Sequence, residues 1–145
     1  MKRFFLMAWL ALAATAAHAQ MPVYFQASVN SSDLVGSRLE FAFKEKIRRS
    51  AGMQLVTKEE PGTISLYLVT LDPDAKTSTS GHRTIYSAVW VLKTFHKEPV
   101  TSFIASSVGT CGGNRVQECA EDFAAKADKE TSEIRALLDG MMKNK

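Results

Sequence analysis

From Arg115 to about Met142, apolar residues recur in steps of three and four: Val116, Ala120, Phe123, Ala127, Ile134, Leu138 and Met141, with Thr131 filling the one gap. That period is the signature of an amphipathic helix. At the helical rise it is about 40 Å long. A helix of that length with a single apolar stripe must lie on a broad apolar surface, and the strands upstream are the available one. An eleven-residue strand spans only about 36 Å. The C-terminal end of the helix is therefore expected to overhang the sheet, carrying Leu137-Leu138 and Met141-Met142 with it.

The strands are read from alternation. Pro22 to Val29 sets Val23, Phe25, Ala27 and Val29 on one side and Tyr24, Gln26 and Ser28 on the other, as a half-buried strand does. Asn30-Ser31-Ser32-Asp33 offers capping side chains, and Val35, Leu39, Phe43, Ile47 and Ala51 recur every fourth residue, predicting a helix over Asp33–Ala51. Gly36 is a weak spot in its first turn, and Gly52 is placed as a C′ residue with positive φ. Met53–Val56 follows as a short strand. After Pro61-Gly62, Thr63–Leu71 is a strand with apolar residues on both faces, ended by Asp72-Pro73-Asp74. Ala75–Arg83 is polar and small, predicting a mobile hairpin loop with a turn at Ser80-Gly81. Thr84–Phe95 is the longest strand, with Ile85, Ser87, Val89 and Val91 on one face and Tyr86, Ala88, Trp90 and Leu92 on the other. Glu98-Pro99 turns the chain into a hydroxyl-rich strand, Val100–Thr110.

The order β-α-β-β-β-β-α predicts an α+β fold: a two-layer sandwich with a mixed, mostly antiparallel sheet and two helices on one face. The β-α-β start predicts a right-handed crossover. No internal repeat or low-complexity segment interrupts the pattern.

The N-terminus sets the compartment. Lys2 and Arg3 precede an uncharged run from Phe4 to Ala17, and Ala17-His18-Ala19 has the small-x-small form of a cleavage site. The run is about 14 residues, short of the roughly 20 that a spanning helix needs. Residues 1–19 are read as a secretory signal peptide and residues 20–145 as a single domain, periplasmic or secreted, with no transmembrane segment. No Cys follows the cut to accept a lipid. The 18 basic residues less Lys2 and Arg3 leave 16 against 15 acidic ones, so the exported part carries only +1. That charge and the absence of a basic cluster argue against a nucleic-acid partner.

Two cysteines, Cys111 and Cys119, flank Gly112-Gly113-Asn114 between the last strand and the last helix. In an oxidising compartment they predict a structural disulfide. The spacing is wider than the Cys-x-x-Cys of redox centres. Gly112-Gly113-Asn114 before a helix start also has the form of an anion cradle, but no Gly-Lys-Ser/Thr follows.

The run Leu39-Glu40-Phe41-Ala42-Phe43, then Ala51-Gly52-Met53-Gln54-Leu55-Val56, resembles the helix-Gly-strand unit in the small N-terminal domain of TolB and in related envelope assembly domains. The whole is also similar to small uncharacterised secreted or periplasmic proteins of Gram-negative bacteria. The resemblance is one of topology and carries over no functional residue. It implies a domain that binds other envelope proteins.

No catalytic constellation, metal set or cofactor motif is legible. His82 and His96 flank the long strand, about 46 Å apart if extended, so one site cannot use both. Asp72 and Asp74 lack the further oxygens and the Gly of an EF-hand, and no Gly-x-Ser-x-Gly elbow exists. The candidate binding residues are aromatic: Tyr86 and Trp90 four apart on one face, with Tyr67 on the neighbouring strand. They are a contact stripe if the helices cover the other face, and core if the helices cover this one. The expected function is a non-catalytic protein-binding or envelope-assembly module. Its partner is an envelope protein or a second copy, met through an exposed sheet face or the C-terminal helix. Two alternatives stand beside it: an inhibitor or immunity protein that inserts the Ala75–Arg83 loop into an envelope hydrolase, and a small hydrolase pairing His82 with Asp72 or Asp74.

Overall fold

The computed structural model describes residues 20–95 and 99–143. Residues 1–19, read above as a signal peptide, and His96 lie outside the described residues. The elements are β1 (Met21–Val29), α1 (Leu34–Arg49), β2 (Met53–Val56), β3 (Ile64–Leu71), β4 (Arg83–Phe95), β5 (Pro99–Gly112) and α2 (Val116–Lys143). They form the expected α+β order, with a five-stranded sheet arranged β2-β1-β3-β4-β5. As expected, the sheet is mixed and, by paired length, mostly antiparallel. β1 runs parallel to both β2 and β3, and the two remaining pairings, β3–β4 and β4–β5, are antiparallel.

One face of the sheet is covered by both helices. Val23 and Phe25 of β1, Ile64, Leu66 and Leu68 of β3, and Ala88, Trp90 and Leu92 of β4 are buried with Phe43, Ile47, Phe123 and Ala127 of the helices. Phe43 sits at the centre, its ring 5.1 Å from that of Phe25 and 4.7 Å from that of Phe123. A second cluster joins Val35, Leu39 and Ala42 of α1 to Cys111, Val116 and Ala120. There Cys111 and Cys119 are disulfide-bonded with their Cα atoms 6.2 Å apart, tying the end of β5 to the first turn of α2. The helices are joined to each other by Lys46–Glu121 (2.6 Å) and by Ser50 donating to Asp128 (2.9 Å).

The start of α1 is set by a buried carboxylate. Asp33 is the N-cap: its Oδ1 accepts the Gly36 N–H at 2.7 Å, and its Oδ2 accepts the Thr84 hydroxyl of β4 at 2.6 Å. At Gly36 the helix lies close against the sheet. A Cβ there would lie 2.2 Å from Thr70 Oγ1 and 2.4 Å from Asp33 Oδ2. The apparent weak spot is a close approach that no larger residue fits. Gly36→Ala should destabilise the domain by about 1–3 kcal/mol through overpacking, despite the better helix propensity of Ala. An unchanged melting temperature by circular dichroism would contradict that contact.

Gly52 does not have the expected role. The helix ends earlier, at Ser50, which is extended (φ −69°, ψ 136°) and donates its backbone N–H to Ile47 O. Because Ser50 already caps the turn, Gly52 needs no left-handed conformation. The glycines with positive φ are Gly62 (83°) and Gly81 (78°), both at predicted turns.

Candidate functional site: the open face of the sheet

The face away from the helices is built by the other parity of each strand. Registers place Leu71 beside Ile85 and Thr110, Val69 beside Ser87 and Val108, Tyr67 beside Val89 and Ser106, and Ser65 beside Val91 and Phe103. None of these side chains is charged. Phe103 is 67% exposed and Val108 is 74% exposed, and Val69, Leu71 and Ile85 are exposed with them. Contiguous exposed apolar side chains on a folded domain mark contact surfaces. The register of β4 against β5 shifts between Trp90 and Val91. This bulge lets Phe103 face outward, while Ile104 and Ala105 both pack towards the core.

One end of the face is closed by the segment between β2 and β3. The Glu59 carboxylate accepts hydrogen bonds from the Tyr67 hydroxyl and the Lys93 ammonium, linking that crossover to β3 and β4. Burial works against ionising Glu59, but the hydrogen bonds from Lys93 and Tyr67 more than offset it and hold its carboxyl below the usual range. The bond to Glu59 raises Lys93, and burial, reinforced by Glu59, raises the Tyr67 phenol. The carboxylate has a lowered folded value. Its contribution is present above the ordinary pKa near 4.5 and is lost as pH falls through the folded value. The ammonium has a raised folded value. Its contribution is present below 10.5 and is lost as pH rises through the folded value. Glu59→Gln should therefore flatten the acid limb of the stability–pH curve, with little change in slope near neutrality. It should also lower the Tyr67 phenol pKa by NMR titration; an unmoved phenol would count against the contact.

The aromatic residues are divided between the two faces. Trp90 is 1% exposed and Tyr86 is half-buried, and both lie against Phe123 at centroid distances of 5.1 and 5.5 Å. They belong to the core, because α2 lies over their side of β4. Tyr67 is on the open face, but its hydroxyl is engaged by Glu59. The side chains that fill the open face, Val69, Leu71, Ile85, Phe103 and Val108, were visible only as the second parity of amphipathic strands. The break in alternation at Phe103-Ile104-Ala105 was the available signal of the bulge.

The Asp72–His82 loop is pinned. Asp72 Oδ2 accepts the Gly81 N–H (2.7 Å) and the Ser80 hydroxyl (3.1 Å), and its Oδ1 accepts the Asp74 N–H (2.8 Å). The Gly81 amide foremost holds the Asp72 carboxyl below its usual range. Asp74 pairs with Arg83 at 2.8 Å. His82 is exposed, and neither carboxylate is hydrogen-bonded to it. In the glycine loop, Arg115 is paired with Glu118 at 2.6 Å. At the far end of α2, Ile134 and Leu138 pack on the edge of the core while Leu137 and Met141 are exposed. A cleft beside β2 is lined by Pro22, Leu55, Val56 and Pro61, with Lys58 and Glu60. Among the described residues, no group of three or more His, Cys, Asp or Glu is placed to hold a metal, and no helix is long and apolar enough to cross a membrane.

No family model matches the chain, and no curated protein matches it. Among solved structures it is similar to a minor lipoprotein from Acinetobacter baumannii, at 8% identity and a TM-score of 0.28, over 75% of this chain and 93% of that one. At that score the likeness carries no argument for fold or function.

Proposed function

We propose that the chain is an exported, non-catalytic binding module of the bacterial envelope, and that its contact surface is the open face of the sheet. The observation that carries this reading is the uncharged middle of the open face around Phe103 and Val108, with Arg83 and Lys93 only at its two ends, left uncovered while both helices lie on the other side. A disulfide between its two cysteines suits an oxidising compartment. Charging the face tests it. Val69→Lys with Phe103→Lys should abolish stoichiometric cross-linking to an envelope protein while circular dichroism and melting temperature hold. Full retention of the cross-link would remove the open face from the account.

A second reading is favoured by the pinned loop. An inhibitor benefits from an inserted loop that is ordered before binding, and Asp72 orders the exposed stretch Ala75–Ser80. Deleting 76–79 should then relieve inhibition of an envelope hydrolase without unfolding the domain. A third reading, hydrolysis by His82 with Asp72 or Asp74, has no such pair behind it.

A further inference from the structure

The edge strand β5 is the feature that the binding reading leaves unused. It runs 14 residues, Pro99–Gly112, without one charged side chain, whereas the opposite edge strand β2 has four residues. Folded domains usually protect a long edge with charge, internal proline, a bulge or shortness; the bulge of β5 lies at Phe103–Ala105 and leaves Ser106–Gly112 regular. Here the proline stands at the first position, where it blocks nothing downstream.

The direction of its free hydrogen-bonding groups can be read from one contact. Lys126 Nζ donates to Ser106 O at 2.7 Å, so that carbonyl points out of the sheet. In an antiparallel ladder inward and outward residues alternate. Ser106, Val108 and Thr110 therefore turn both backbone N–H and C=O away from β4. Their side chains share the open face and are all exposed.

We propose that this edge is covered by the β5 of a second copy, paired antiparallel about a two-fold axis at Val108. This rests on the reading of the open face as the contact surface. Val108 then faces its own copy, and Ser106 faces Thr110 of the other chain, giving one apolar and two hydroxyl cross-strand pairs of the kinds that stabilise sheets. Self-pairing places each residue near its own copy, so charge on such a strand would repel; β5 has none. The two sheets become one ten-stranded sheet whose open faces are continuous, with Phe103 and Val108 of both chains on the same side. Lys126 is compatible with the pairing, because a carbonyl oxygen accepts two hydrogen bonds.

Sedimentation of the mature protein over a wide concentration range, with amide exchange at both ends of it, tests the pairing. The expected result is a doubled mass at high concentration, with the Ser106, Val108 and Thr110 amides passing from unprotected to protected. Val108→Lys, and independently Thr110→Lys, should give a folded monomer in which those amides stay unprotected. A wild-type monomer throughout the range overturns the proposal, as does a dimer that survives both substitutions. If a monomer still cross-links to an envelope protein in a Phe103-dependent way, the second copy alone is wrong. If that cross-link is also indifferent to Phe103, the binding reading falls with it.

Discussion

Phe43→Ala should lower the unfolding free energy of the domain by about 3–5 kcal/mol, the range for removing a large aromatic from a core. Phe43 is fully buried between Phe25 of β1 and Phe123 of α2, so its ring connects the sheet to both helices. The cavity would open where three elements meet and none can close it without losing its own contacts. Small domains are stable by about 5–15 kcal/mol in all, so the variant should be near the limit of folding at physiological temperature. Urea unfolding of residues 20–145, monitored by the fluorescence of Trp90, their one tryptophan, measures the loss. A change below about 1 kcal/mol would mean that the aromatic cluster is not the centre of the core.

Opening the disulfide comes next in size. Cys111→Ser with Cys119→Ser releases a loop of about nine residues, which in the chain-entropy model destabilises by roughly 2.5 kcal/mol. A polar Ser at 111 adds to this, because Cys111 is fully buried among Val35, Leu39, Val116 and Ala120. The damage should be local first: faster amide exchange in the first turns of α2 and in the end of β5, with the Phe43 region still protected. Thermal unfolding with and without reductant gives the magnitude. A melting temperature indifferent to reductant would deny the bridge its structural role.

Both effects could be anticipated only in part from the residues. Phe43 and Phe123 announce themselves through helical periodicity, and alternation reveals the first strand, while turn signals and β-prone runs bound the others. Periodicity does not tell which face of β3 and β4 the helices choose, since both are apolar: Leu66 and Leu68 against Tyr67 and Val69, Trp90 against Val89. The structure buries the parity with Trp90, so that of the aromatic candidates Tyr86 and Trp90 belong to the core while Tyr67 stays on the open face. Strand order was equally hidden, above all the place of β1 between β2 and β3. β3 joins β1 in parallel across a short crossover that Glu59 anchors to Lys93, a contact 34 residues apart in the chain. Gly52 was misplaced because Ser50 caps the helix first. The loop after β3 was expected to be mobile because its composition is polar; the order comes from Asp72, whose three hydrogen bonds depend on the turn already being formed.

Carbene footprinting of residues 20–145, free and in a bacterial envelope extract, addresses the contact surface without presupposing the partner. Phe103 and Val108 should label strongly in the free protein and lose label in the assembled form, with Leu137 and Met141 unchanged and Trp90 silent in both. Undiminished labelling of Phe103 and Val108 in an assembly that protects Leu137 and Met141 would move the interface to the end of α2 and contradict the account.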